Sequence, residues 1–76
     1  MPRAFVLINV DSGSEDAVLK RLKEIGIVEE AYVSYGVCDL IIKVKADNIE
    51  DLKEVITHKI RTINNVRSTL TLIVLE

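Results

Sequence analysis

Cys38 and Asp39 stand side by side behind a glycine in the stretch Ser34-Tyr35-Gly36-Val37-Cys38-Asp39-Leu40. A thiol next to a carboxylate suggests a nucleophile, a pair of metal ligands or a binding site. A nucleophilic thiol needs a base or a positive environment. The one histidine, His58, falls in a segment that reads as the second helix, which the topology below places far from this turn. One Cys and one His also lack the clustered spacing that metals require. No catalytic residue, metal or cofactor is therefore expected. Asp39 keeps a role open, because a carboxylate accepts from an α-ammonium while exposed amides at a glycine turn donate to an α-carboxylate. Those are the two ends of a free amino acid. The competing reading makes Asp39 a solvated turn residue and Cys38 a small core hydrophobe.

Other polar clusters have plainer explanations. Asp11-Ser12-Gly13-Ser14 resembles a phosphate-cradling loop in composition only, since it lacks the GxxxxGK[ST] spacing, and a helix start accounts for it. Glu29, Glu30, Glu50, Asp51 and Glu54 read as solubilising charge.

The elements that must position Asp39 follow from periodicity. Residues 3–10 are β-branched and aromatic and read as a strand. A helix begins after them, with Ser12 or Ser14 as N-cap and Glu15 in its first turn. Val18, Leu22 and Ile25 form its apolar stripe, with Lys20, Lys23 and Glu24 opposite, and Gly26 is expected to stop it. Tyr35-Gly36-Val37-Cys38 fits a two-residue type II′ hairpin. That register pairs Val33 with Leu40 and Ala31 with Ile42 on one face. On the other it pairs Ser34 with Asp39, Tyr32 with Ile41 and Glu30 with Lys43. A second helix starts at Asp47 or Asn48, with Glu50 completing a capping box. Its buried stripe is Ile49, Leu52, Ile56, Ile60 and Ile63, with Val55 alongside. Asn64 and Asn65 end it. The last strand starts at Val66, with Leu70, Leu72 and Val74 on one face and Thr69, Thr71, Ile73 and Leu75 on the other.

The order βαββαβ is the ferredoxin-like pattern, an α+β sandwich. Right-handed crossovers put both helices on one side of a four-stranded antiparallel sheet of order 4-1-3-2. The other side is expected to show Phe5, Leu7, Asn9, Tyr32, Ile41, Thr69, Thr71, Ile73 and Leu75, with the same face of a second chain as its cover. Asn9, Asp39 and Ser68 or Thr69 gather at the hairpin end. There Asp39 and Thr69 stand roughly 10 Å apart across the first strand, a gap that suits a small ligand completed by a neighbouring subunit.

The totals narrow the class. The chain has 76 residues, one small domain, of which 49% are hydrophobic but only Phe5, Tyr32 and Tyr35 aromatic. So aliphatic a short chain is expected to oligomerise. A lone cysteine points to a reducing, cytoplasmic setting, and no apolar run is long enough to span a membrane. The net charge of −2 lacks the basic footprint of nucleic-acid binding, and stacking aromatics for RNA on the central strands are missing.

Three features together resemble the ligand-binding domain of the Lrp/AsnC family, also called the RAM domain. They are the Tyr35-Gly36-x-x-Asp39 hairpin, the Val44-x-Ala46-Asp47-Asn48 entry to the second helix, and the Ile60-x-x-Ile63-x-x-Val66-x-Ser68-Thr69-x-Thr71 approach to the last strand. The likeness covers essentially the whole chain, 1–76. It implies dimers formed through open sheet faces, further association into octamer-like rings, and an amino-acid effector bound between dimers. Carried over by position, Tyr35, Gly36, Val37 and Asp39 form the hairpin part of that site and Ser68, Thr69 and Thr71 the last-strand part. Full-length family members carry a helix-turn-helix domain ahead of this module. With Met1 so close to the first strand, the chain is expected to be similar to stand-alone RAM-domain proteins. The resemblance implies a non-enzymatic amino-acid sensor that acts on a full-length Lrp/AsnC regulator through mixed oligomers, without touching nucleic acid or membrane. Two other classes share the scaffold: a small dimeric ferredoxin-like enzyme of the isomerase or monooxygenase type, and a ligand-free assembly module. The enzyme calls for an acid–base pair on the open face, where only Asp39 is offered. ACT domains share the topology and bind amino acids too, so fold alone does not separate the families.

Overall fold

The computed structural model describes residues 2–74. Strand β1 (Arg3–Val10) leads to helix α1 (Glu15–Lys23), then to β2 (Val28–Val33) and β3 (Leu40–Lys45). Helix α2 (Ile49–Val55) runs on as a π-helical turn (Ile56–Ile60), and β4 (Val66–Val74) follows. The sheet order is β2-β3-β1-β4, with every pair antiparallel, as the ferredoxin-like pattern requires. Among the described residues no helix is long and apolar enough to cross a membrane.

Alternation decides what is buried. Ala4, Val6, Ile8 and Val10 of β1 and Leu40, Ile42 and Val44 of β3 face the helices and meet Val18 and Leu22 of α1 and Leu52, Ile56 and Ile60 of the second helical segment. Each such large aliphatic side chain, fully buried, contributes roughly 1.5–3 kcal/mol. The spacing of four from Leu52 to Ile56 to Ile60 would drift about 40° per step in an α-helix of 3.6 residues per turn. The wider π-helical turn, in which Arg61 N–H donates to Ile56 C=O (3.0 Å), takes up that drift and keeps all three side chains buried. Ile49, expected in the same stripe, is 42% exposed at the helix start.

The caps differ in detail from expectation. Ser14 takes the N-cap position of α1, but its hydroxyl donates back to the Asp11 carbonyl and accepts nothing from the helix. Asn48 caps α2 through Oδ1, which accepts from Asp51 N–H (2.8 Å), while Asn48 Nδ2 donates to the Asp51 carboxylate (3.2 Å). The box partner is thus Asp51, three residues on, and not Glu50. Helix α1 ends at Lys23, before Gly26, whose φ is not positive; the left-handed residue that ends a helix is Asn65 (φ 76°) after the second.

Two expectations about the sheet are corrected. The β2–β3 register is as expected: Val33 with Leu40, Tyr32 with Ile41, Ala31 with Ile42 and Glu30 with Lys43. The connection, however, is not a tight two-residue turn. Ser34 N–H donates to Asp39 C=O (2.8 Å), closing a four-residue loop from Tyr35 to Cys38 with Gly36 at φ 116°. Asp39 N–H leaves the hairpin and donates to Ile8 C=O of β1 (2.9 Å), which is why the turn stays open. The faces of β4 are the reverse of those expected. Phe5 pairs with Leu72 and Leu7 with Leu70, so Ser68, Leu70, Leu72 and Val74 lie on the open face. Thr69, Thr71 and Ile73 pair with Ile8, Val6 and Ala4 and lie on the helix side. Leu75 lies outside the described residues.

Candidate functional site

The expected site residues fall into three places. Tyr35, Gly36 and Val37 form the loop tip, where Tyr35 is 97% and Val37 87% exposed. Positive φ at Gly36 lets the loop project with no side chain at its apex. Cys38 turns inward and is buried, with no role beyond packing apparent in its surroundings.

Asp39 sits half-buried at the base of the loop, and its position follows from the ladder. Had β3 continued, the Val10 amide would have faced a backbone carbonyl. The chain bends away, and Asp39 Oδ2 accepts from Val10 N–H instead (2.9 Å). Among the described residues Oδ1 accepts no hydrogen bond. One carboxylate oxygen is therefore structural and the other is free to meet a ligand.

Across β1, Asn9 Nδ2 donates to Ser68 Oγ (3.3 Å) on the open face. Here β4 carries one extra residue, Arg67, between the Asn9–Ser68 and Val10–Val66 pairs. Arg67 pairs with Asp11 (3.8 Å), both well exposed, and Asp11 N–H donates to Asn65 C=O (2.8 Å).

Thr69 and Thr71 are not with Asp39. They line a groove of ≈ 380 Å³ between β4 and the second helix, with Leu52, Ile56 and Ile73 as floor and Lys53, Thr57 and Arg61 at the rim. The buried Ile8 and Val10 separate Thr69 from Asp39 within one chain. The groove is a feature the motifs missed. Its signal was present: Lys53, Thr57 and Arg61 recur at spacing four beside the buried Leu52-Ile56-Ile60 stripe.

The open face has an apolar centre of Phe5, Leu7, Ile41, Tyr32, Leu70 and Leu72. At one side a bulge at Glu29 brings both Glu29 (4.0 Å) and Glu30 (3.6 Å) to Lys43. The Tyr32 hydroxyl donates to Glu30. That bond, with Lys43 nearby, holds the Glu30 carboxyl below its usual range, and the same bond together with the Glu30 charge raises the Tyr32 phenol. Among the described residues no three His, Cys, Asp or Glu side chains gather as a metal site would need.

Comparison with known proteins places this arrangement. Residues 3–76 match the model of the Lrp/AsnC ligand binding domain. The regulatory protein AsnC of Escherichia coli K12 is 40% identical over 60 residues, covering 79% of this chain and 40% of its own length. Among solved structures, a hypothetical protein from Pyrococcus horikoshii is 41% identical with a TM-score of 0.93, covering 100% of this chain and 92% of that one. A feast or famine regulatory protein from M. tuberculosis, complexed with L-methionine, is 31% identical with a TM-score of 0.84, covering 100% of this chain and 51% of that one. The chain spans half or less of the curated relatives it matches, which are named as a regulatory protein and as HTH-type transcriptional regulators. The chain belongs to the Lrp/AsnC family, with residues 3–76 forming its ligand-binding domain.

Proposed function

We propose that this domain is a non-enzymatic, oligomeric regulatory module that binds an amino acid between copies of itself. The observation that carries the reading is the loop end: a projecting Tyr35 and Val37 beside a half-buried Asp39 with one oxygen free. An ammonium at Oδ1 and an α-carboxylate at the amides of Gly36 and Val37 fit that chemistry. The L-methionine complex of the M. tuberculosis relative supports the same ligand class.

Thr69 and Thr71 lie on the helix side of β4, apart from the loop and Asp39 of the same chain, so a single site uses two copies. The loop of one copy, with Asp39, meets the Thr69–Thr71 groove of another, whose Lys53 and Arg61 complement the acidic loop base. The open faces of two copies cover each other's Phe5, Leu70 and Leu72 in a symmetric dimer, and dimers assemble further into an octamer-like ring. Ligand at the junction stabilises one assembly over others, which is linkage. The output passes to a full-length Lrp/AsnC regulator in the cytoplasm through mixed oligomers. Pull-down with such a regulator tests that last step, and failure to recover it contradicts it.

The ligand claim is tested by thermal unfolding against the twenty amino acids. At about 100 times its Kd a ligand adds roughly 2.7 kcal/mol per site, which in a domain this small raises the midpoint by more than 10 °C, at about 4–8 °C per kcal/mol. Asp39→Asn keeps an acceptor for Val10 N–H and removes the charge, so it abolishes the shift with the fold intact. No response to any amino acid overturns the reading.

A further inference from the structure

Asp39 does more than face a ligand. We infer that it is a positioning residue: through the Val10 amide it fixes the loop half of the site against the start of β4, where the other half begins. This rests on the amino-acid reading for its purpose but not for its geometry.

Among the described residues, the last residues of β1 touch both halves. Val10 donates to Asp39 on the β3 side. On the β4 side Asn9 holds Ser68 by its side chain and Asp11 holds Asn65 through its backbone amide. Between them the extra residue Arg67 breaks the ladder, and Val10 pairs with Val66 instead of Arg67. Ser68, Thr69 and Thr71 are set by regular pairing with Asn9, Ile8 and Val6, and the register slips only beyond Asn9, so it is the loop half that regular β-sheet pairing leaves unset. The loop is tied down at its base by two bonds to β1, Asp39 N–H to Ile8 C=O and Val10 N–H to Asp39 Oδ2. The second uses a side chain in place of a missing strand residue. A hydrogen bond to a charged acceptor is stronger than a neutral one, so the same charge that attracts an ammonium stiffens the loop that receives it.

The test is residue-resolved hydrogen exchange on the wild-type chain, Asp39→Asn and Asp39→Ala, with the Ser68 and Thr69 amide resonances as a second readout. Val10 N–H is expected to be most protected in the wild type, somewhat less in Asp39→Asn, whose neutral amide oxygen accepts more weakly, and to lose about tenfold or more in protection in Asp39→Ala. Ser68 and Thr69 resonances shift in Asp39→Ala and stay in place in Asp39→Asn, although they lie across β1 from the substitution. Asp39→Ser, too short to reach Val10, serves the same purpose if the alanine variant does not fold. Equal Val10 protection in all variants, or unprotected Val10 in the wild type, overturns the inference. The protection pattern without any amino-acid response supports the positioning role and removes the functional reading.

Discussion

Replacing Leu70 with lysine tests whether the open face is an interface. On that face Phe5 is 39%, Tyr32 55%, Leu70 59% and Leu72 48% exposed, about two whole side chains of uncovered apolar surface. At roughly 1.5–3 kcal/mol per fully buried side chain, covering them gains about 3–6 kcal/mol per copy and twice that in a symmetric pair. Association costs on the order of 4–15 kcal/mol, so the face suffices for a dimer at micromolar concentration only if nearly all of it is used. Leu70 supplies about 1–2 kcal/mol of that per copy, hence roughly 2–4 kcal/mol per dimer. Lysine removes this and adds the desolvation of an ammonium, several kcal/mol if it stays buried. The dimer constant should weaken by at least ~30-fold, at about 1.4 kcal/mol per decade. Leu70→Ala, which loses only the burial, should fall between. Sedimentation equilibrium reads the mass, and far-UV circular dichroism checks that a residue so exposed in the single chain leaves the fold intact. A wild-type chain that is monomeric at these concentrations, or a Leu70→Lys chain of unchanged mass, refutes the reasoning.

Other outcomes follow from single contacts. Asn48→Ala removes the acceptor for Asp51 N–H and should cost about 1 kcal/mol, lowering the midpoint by roughly 4–8 °C in a thermal scan. Gly36→Ala meets no atom within 4 Å, so its cost, about 1 kcal/mol or more by denaturant titration, is wholly that of positive φ. The phenol of Tyr32 should titrate above its ordinary 10.0 in an ultraviolet absorbance titration, and Glu30→Gln should bring it back down. The signs are set by the two shifts. Glu30, depressed below 4.5, contributes stability that is present above that pH and fades as pH falls through its folded value. Tyr32, raised above 10.0, contributes stability that is present below that pH and fades as pH rises through its folded value.

The element order, the sheet order and the β2–β3 register were legible because each rests on local alternation and on turn residues. Val33 opposite Leu40 and Glu30 opposite Lys43 needed only the hairpin itself. The faces of β4 were not legible. Threonines alternating with leucines suggest that the leucines seek the core, but two helices do not cover four strands. The helix side of β4 is left as a groove, so Thr69 and Thr71 line it, while Leu70 and Leu72 join Leu7 and Phe5 on the open face. Pairing with β1, a contact between the two ends of the chain, decided this. The loop spans the residues expected for the turn, Tyr35 to Cys38, but its geometry differs from the expected two-residue turn. Asp39 bonds to β1 through both its amide and its side chain, and no pattern within residues 34–40 signals a partner at Ile8 or Val10. The division of Thr69 and Thr71 from Asp39 has the same origin.

The central claim, an amino acid held between two copies, is tested most directly by complementation. Chains carrying Asp39→Asn are mixed, after unfolding and joint refolding, with chains carrying Thr69→Val and Thr71→Val, and calorimetry follows the amino acid that binds the wild type. Each variant alone should be silent. The mixture should recover part of the wild-type heat, because some junctions then join an intact loop to an intact groove. A silent mixture, or one variant that binds unaided, contradicts a site shared between copies.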